Sequence, residues 1–159
     1  MFQDIPNKDG HAGVQSSPFI SVIVPVRNEG AHLADTLEQV LQQEYDPKCF
    51  EVVVVDGEST DGTRAIVRAF QGSHANVRLY RNPRQLSSAA RNIGVCQARG
   101  DLLVIIDGHC YLQSQSYLRD LAEAFARSEA DCLGRPQPLD VSGASLLQKL
   151  IAAARSSWL

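Results

Sequence analysis

Two short stretches of this chain place acids where a ligand could be held. Asp56 closes the run FEVVVVD and is followed by Gly57 and Glu58, while Asp107 closes DLLVIID and is followed by Gly108 and His109. A carboxylate and an imidazole two residues apart, just past an extended run, point the same way if that geometry continues. Such a pair suits a divalent ion, Mn2+ ahead of Mg2+, because Mg2+ takes oxygen and water in strict octahedral geometry. The same two residues also read as a turn-capping Asp and an ordinary loop histidine, and spacing leaves both readings open. Asp56 fits an acceptor for a ribose hydroxyl or a base N–H, and equally a turn former ahead of Gly57. Glu58 and Asp61 fit solvent-facing acids at a helix start. Arg91, with Asn92 beside it and Arg84 upstream, could meet a phosphate bidentately or make a surface ion pair.

Those side chains need rigid elements behind them. Both acid-terminated runs are rich in Val and Ile, apolar without alternation and short, the pattern of strands buried on both faces. A strand over 19–26 precedes them, with Pro25 near its end, where a missing N–H is tolerated. The spacing of Leu33, Leu37, Val40 and Leu41 predicts a helix, and 50–55 the second strand. Asp61 is the expected N-cap of a helix carrying Ile66, Val67 and Phe70. A short strand over 77–80 leads to the small-residue helix SSAARNIGVCQA, with Ala89, Ile93 and Cys96 on one side and Gly94 there for close packing or ligand approach. Then come a strand over 102–106 and a helix with Leu118, Leu121, Ala122 and Phe125 in register. DCLGRPQPLD reads as a short strand and loop. A last amphipathic helix carries Leu146, Leu147, Leu150, Ile151 and Ala154 and runs to Leu159. Strand and helix alternate, so the fold class is α/β, a mostly parallel sheet with right-handed crossovers and helices on both faces. Ligands bind such sheets at the carboxyl ends of the strands.

Composition narrows the function classes. The 159 residues carry 44% apolar and 21% charged side chains, enough for one domain with a real core. A formal charge of −3 and only a modest basic cluster between Arg78 and Arg91 argue against nucleic acid as the main partner. Cys49, Cys96, Cys110 and Cys132 fit no zinc or redox spacing and read as buried free thiols of a reducing compartment. No apolar run approaches a membrane span, and the first residues lack a signal-peptide pattern. The expectation is a flexible leader over 1–17, a single domain over 18–159, and a soluble, cytoplasmic chain. Neither GxGxxG nor GxxxxGK[ST] is present, so phosphate charge must be met by a metal, by arginines or by a helix N-terminus.

Three strings in order, SVIVPVRNE, EVVVVDGESTDGT and SSAARNIGVCQARGDLLVIIDGH, resemble the family 2 glycosyltransferases of the GT-A fold over about 19–140. The nearest branch by these strings is that of bacterial succinoglycan and other exopolysaccharide glucosyltransferases. The resemblance implies that Asp56 contacts the nucleobase with Glu58 nearby, that Val26 and Glu29 line the nucleoside pocket, and that Arg91 and Asn92 lie on the nucleotide-sugar side. Asp107 would be the first acid of an Asp-x-Asp metal motif, facing ribose or sugar. His109 stands where the metal-binding second acid is usual, and imidazole is a competent Mn2+ ligand. The implied reaction is inverting sugar transfer from a nucleoside-diphosphate sugar, a UDP-sugar first, to a hydroxyl of a glycan or lipid-linked acceptor. A carboxylate base would assist; no residue of 1–159 matches that base. The expectation is therefore a donor-binding part, truncated before the acceptor-binding half, without turnover of its own. Membrane association would come only through a C-terminal region beyond this chain, at the cytoplasmic face of a bacterial inner membrane. Two other readings make different predictions: a non-catalytic nucleotide-binding module would ignore Mn2+, and a nucleotidyltransferase would need a Gly-rich, basic loop where PVRNEG stands.

Overall fold

The computed structural model describes residues 17–128, 130–134, 143 and 145–156. The predicted leader, apart from residue 17, lies outside the described residues, as do residues 157–159, the predicted end of the last helix. The chain divides into two units after Arg127. The first holds β1 (Ile20–Val26), α1 (Leu33–Leu41), β2 (Phe50–Asp56), α2 (Thr63–Ser73), β3 (Val77–Arg81), α3 (Ser87–Gln97), β4 (Leu102–Ile105) and α4 (Tyr117–Arg127). The second holds α5 (Leu146–Ser156). It opens on a reciprocal cap: the Ser145 N–H donates to Gln148 Oε1 at 2.8 Å, and the Gln148 N–H donates to Ser145 Oγ at 3.4 Å. Leu146, Leu147 and Leu150 of α5 are exposed.

Valine-rich runs form β1 and β2 because branched side chains pack well on a pleated surface buried on both sides. Both strands are buried from end to end, for β2 as its unbroken apolar run predicts. Their even-numbered residues, Val22, Val24, Val52 and Val54, join Leu33 and Leu37 of α1, Val67 of α2 and Leu118 of α4 in the main core. On the opposite face Val53 and Val55 pack with Ala90 and Ile93 of α3. Each fully buried valine or leucine contributes about 1.5–3 kcal/mol relative to exposure. All pairings are parallel, in the order β3-β2-β1-β4. The chain thus steps outward from β1 to β3 and returns to the far side of β1 for β4. That reversal opens a crevice between the carboxyl ends of β1 and β4.

Several expectations need correction. β4 is not buried on both faces: Leu103 and Ile105 are 46% and 48% exposed. They share a face with Ile23, which pairs with Ile105, but α3 covers β1 and β2 and leaves β4 uncovered. The inward side of α3 is Ala90 and Gly94, with Ile93 partly buried, while Cys96 faces solvent. The reason is close approach: a Cβ on Gly94 would overlap Cγ2 of Ile23, so the helix meets β1 along its smallest residues. The thiols are free, as read, but Cys96 and Cys132 are exposed and Cys49 and Cys110 only partly buried. Residues 131–134 form no strand; the rest of that predicted strand and loop is undescribed. Helix α2 is capped by Gly62, with Asp61 one step earlier accepting from the Thr63 N–H at 2.9 Å.

One charged cluster locks the amino-terminal edge of the sheet. Glu51, fully buried, accepts from Ser21 Oγ at 2.8 Å, Arg78 at 2.8 Å and Arg99 at 2.7 Å and from the Arg99 N–H at 2.9 Å. Burial alone would raise its carboxyl pKa; the hydrogen bonds from Arg99, Arg78 and Ser21 outweigh that and bring it to about 2. The cluster ties β1, β2, β3 and the turn before β4 together.

Two expectations follow for stability. A pKa depressed on folding means that the Glu51 contribution is complete above about pH 4.5 and fades as pH falls toward 2. It amounts to about 3 kcal/mol, so the acid limb of wild-type stability is expected to flatten in Glu51→Gln when urea midpoints are compared across that range. Gly94→Ala is expected to cost about 1–3 kcal/mol through overpacking against Ile23, read in the same denaturation assay.

Candidate functional site

The crevice at the order reversal collects Val26, Glu29, Arg91, Asp107 and His109 around a cavity of about 250 Å3. Arg27, Gln85 and Gly57 complete much of its wall. A larger depression of about 770 Å3 lies at the other end of the strands, beside Lys48, His74 and Arg99, and contains none of the sequence-predicted residues.

The first side of the cleft is the loop leaving β1. Asn28 sits in the left-handed region at φ 57°, a conformation Asn tolerates better than most residues. Its N–H donates to Ser59 Oγ and its Oδ1 accepts the Thr60 N–H, both at 2.9 Å. The Glu29 N–H donates to the Thr63 hydroxyl at 2.9 Å, and the Gly30 N–H to Asp61 Oδ2 at 2.9 Å. Donation from the Thr63 hydroxyl, then from the Thr63 and Gly30 N–H groups, holds the Asp61 carboxyl below the usual range. Asp61 therefore stitches two loops together.

The second side is the loop after β4. Arg91 of α3 donates to Asp107 Oδ1 at 2.9 Å, and both side chains are about two-fifths exposed. An exposed pair of this kind is worth under about 1 kcal/mol, so a ligand can replace it. His109 Nδ1 lies 3.0 Å from Glu29 Oε1. Gly108 makes that meeting possible: a Cβ there would lie 2.7 Å from Val26 Cγ1 and 3.3 Å from Glu29 Cγ. Behind the loop, the buried Thr36 hydroxyl of α1 is 3.1 Å from the Gly108 carbonyl and 3.0 Å from that of Cys110.

Three sequence-predicted residues sit elsewhere. Asp56 is 1% exposed, off the cleft wall, with Arg64 Nε on Oδ2 and the Ser59 N–H 3.2 Å from Oδ1. It borders a separate cavity of about 200 Å3 with Arg64, Arg68 and Arg81. Glu58 is on the rim, where donation from Gln85, then Arg81, holds its carboxyl below the usual range. Asn92 is exposed on α3 and does not line the cleft. Residues not anticipated from the sequence are Arg27 and Gln85, joined by a 2.7 Å hydrogen bond across the mouth, and the buried Asn82, whose amide donates to the Leu86 carbonyl at 2.9 Å. Arg27 directly follows the first strand and was open to detection by position. Gln85 was not, because its left-handed backbone (φ 57°) is not a glutamine habit.

No three His, Cys, Asp or Glu side chains among the described residues converge to hold an ion by themselves. The available donors are the Asp107 carboxylate and the His109 imidazole. One oxygen and one nitrogen donor fit an ion shared with a diphosphate, and do not fit one that the protein holds alone.

The comparisons agree with this architecture. Residues 21–149 match the glycosyl transferase family 2 model, and the chain belongs to that family. It is 33% identical over 140 residues to the succinoglycan biosynthesis protein ExoA of Rhizobium meliloti, covering 87% of this chain and 41% of ExoA. The mannosyltransferase PcManGT of Pyrobaculum calidifontis, solved with GDP-Man and Mn2+, superposes with a TM-score of 0.66 at 28% identity, over 87% of this chain and 41% of that one. Staphylococcus aureus TarS 1-349 in complex with UDP gives 0.62 at 27% identity, over 75% and 38%. The fold is therefore GT-A, and the chain spans about two-fifths of the length of each of these proteins.

The close approach at Gly108 makes a local prediction. Gly108→Ala is expected to cost about 1–3 kcal/mol in chemical denaturation and to move the ring resonances of His109 in NMR, leaving those of His74, at the other end of the strands, in place.

Proposed function

We propose that this chain is the donor-binding side of an inverting glycosyltransferase, holding a nucleoside-diphosphate sugar, a UDP-sugar first, in the β1–β4 cleft. The observation that carries the reading is the convergence of Asp107, His109, Arg91 and Glu29 on that cleft at the order reversal of the sheet. Asp107 and His109 are the residues that would hold Mn2+ or Mg2+, shared with the diphosphate. When bound, such an ion neutralises charge that develops on the departing diphosphate. Arg91, released from Asp107, is placed to pair with a phosphate oxygen. Val26 and Glu29 border the nucleoside side, with Asp56 and Glu58 at its far end. For Asp56 to reach a base directly, its contact with Arg64 has to open.

In the transfer itself, the acceptor hydroxyl oxygen bonds to the anomeric carbon while the bond to the diphosphate oxygen breaks, and the hydroxyl proton passes to a base. That base belongs to the acceptor-binding part of a longer protein. The acceptor is a glycan or lipid-linked sugar of exopolysaccharide or cell-surface synthesis, handled at the cytoplasmic face of the membrane. The names of the matched proteins support the nucleotide-sugar, divalent-ion and polysaccharide parts of this reading: one is a succinoglycan biosynthesis protein, one was solved with UDP, and one with GDP-Man and Mn2+. Among the described residues no helix is long and apolar enough to cross a membrane.

Calorimetry with UDP-, GDP- and CDP-sugars, each with and without Mn2+, tests the reading. A UDP-sugar is expected to bind at least about tenfold more tightly with Mn2+, a gain of about 1.4 kcal/mol, and His109→Ala to lose that gain. Absence of Mn2+-dependent binding to every donor rejects it.

A further inference from the structure

The contact between His109 and Glu29 has a direction. A carboxylate has lone pairs and no proton to give, so the ring nitrogen facing it must be the donor. His109 Nδ1, 3.0 Å from Glu29 Oε1, therefore carries the hydrogen. In a neutral imidazole the lone pair then lies on Nε2, the atom turned away from Glu29. The His109 side chain is 58% exposed and that of Glu29 only 22%, so a ligand can reach the imidazole while its carboxylate partner is largely covered.

Both partners are fixed from behind. Glu29 is held through its backbone: its N–H is bound to the buried Thr63 hydroxyl, and its carbonyl accepts from His32 and Leu33 as α1 begins. His109 rides on a loop fastened by Thr36 and seated against Val26 and Glu29 at Gly108. Metal-bound histidines generally donate their other ring N–H to a carboxylate or carbonyl, which sets tautomer and orientation and raises ligand basicity.

We propose that Glu29 is the positioning residue of the metal ligand His109: it takes the Nδ1 hydrogen and leaves Nε2 to coordinate the divalent ion. The inference rests on the donor-site reading above and adds to it a tautomer, a coordinating atom and a second carboxylate that acts without touching the ion. Asp107 and His109 then suffice as protein ligands because the imidazole is already aimed.

The test uses the chain with isotope-labelled histidine, the His109 ring signals being assigned by their loss in His109→Gln. Above the imidazole titration range, the metal-free ring is expected to show a protonated Nδ1 and a bare Nε2. In Glu29→Ala the proton is expected to exchange between the two nitrogens. With UDP and cadmium as an NMR-visible ion, metal–nitrogen coupling is expected at Nε2. Mn2+ affinity in the presence of UDP, read by electron paramagnetic resonance, is expected to fall about 10–100-fold in Glu29→Ala, and less in Glu29→Gln, whose amide oxygen still accepts. The Gln variant keeps the side-chain shape and decides the question if the Ala variant does not fold. Coupling at Nδ1, or unchanged Mn2+ affinity in both variants while wild type keeps its Mn2+ dependence, overturns this inference and leaves the donor site standing. Loss of Mn2+ dependence in wild type rejects the donor site instead.

Discussion

The double-sided burial of β1 is the constraint on which this structure depends. A strand with a neighbour on each edge and helices on each face has no lateral surface left for chemistry. Everything functional that β1 supports must emerge at its end, and it does so within a few residues: Val26, Arg27 and Glu29 all reach the cleft. Placing β4 on one side of β1 and β2 on the other separates the loops that follow them, and the site occupies the gap. Small residues then decide how tightly the gap closes. Gly94 lets α3 sit down on β1, which brings Arg91 within reach of Asp107, and Gly108 lets the second loop settle on the first.

Electrostatically, the cleft is arranged as mutually satisfied pairs. Asp107 holds Arg91, Glu29 holds His109, and Glu58 holds Arg81 and Gln85. Exposed pairs of this kind are individually weak, which suits groups that must exchange partners when a charged ligand arrives. The pairing also keeps an arginine and a carboxylate near each other without either being stranded, so the cleft tolerates both an empty and an occupied condition. Asp56 differs. Its nearly complete burial against Arg64 makes it part of the framework under the loop that follows β2.

Much of this was legible in the sequence where a periodic or positional signal existed. Valine runs marked β1 and β2, the 3.6-residue spacing of Leu33, Leu37 and Val40 marked α1, and Asp107 at the end of its run marked the cleft. Legibility failed where tertiary neighbours decide. The LLVII run looks buried on both faces, yet nothing in its pattern tells an edge strand that one helix fails to cover from a central one. Cys96 shares a helical stripe with Ala89 and Ile93, but the need to bring Gly94 onto Ile23 rotated the buried side of α3 away from it. Ser145 and Gln148 carry a capping spacing that could have been read directly. Gln85 and Glu58 adopt left-handed backbones that no propensity suggests; they are held there by contacts with each other and with Arg27 and Arg81.

The Glu51 cluster lies at the opposite end of the sheet from the cleft. Its partners, Ser21, Arg78 and Arg99, come from three different segments, so cohesion is concentrated away from the cleft. The rim loops are thereby relieved of the task of keeping the strands together. Such a scaffold has evolutionary latitude: insertions and exchanges at its mouth can explore new ligands while the foundation remains intact. One framework can in this way serve a large repertoire of related specificities, each written in a few loop residues.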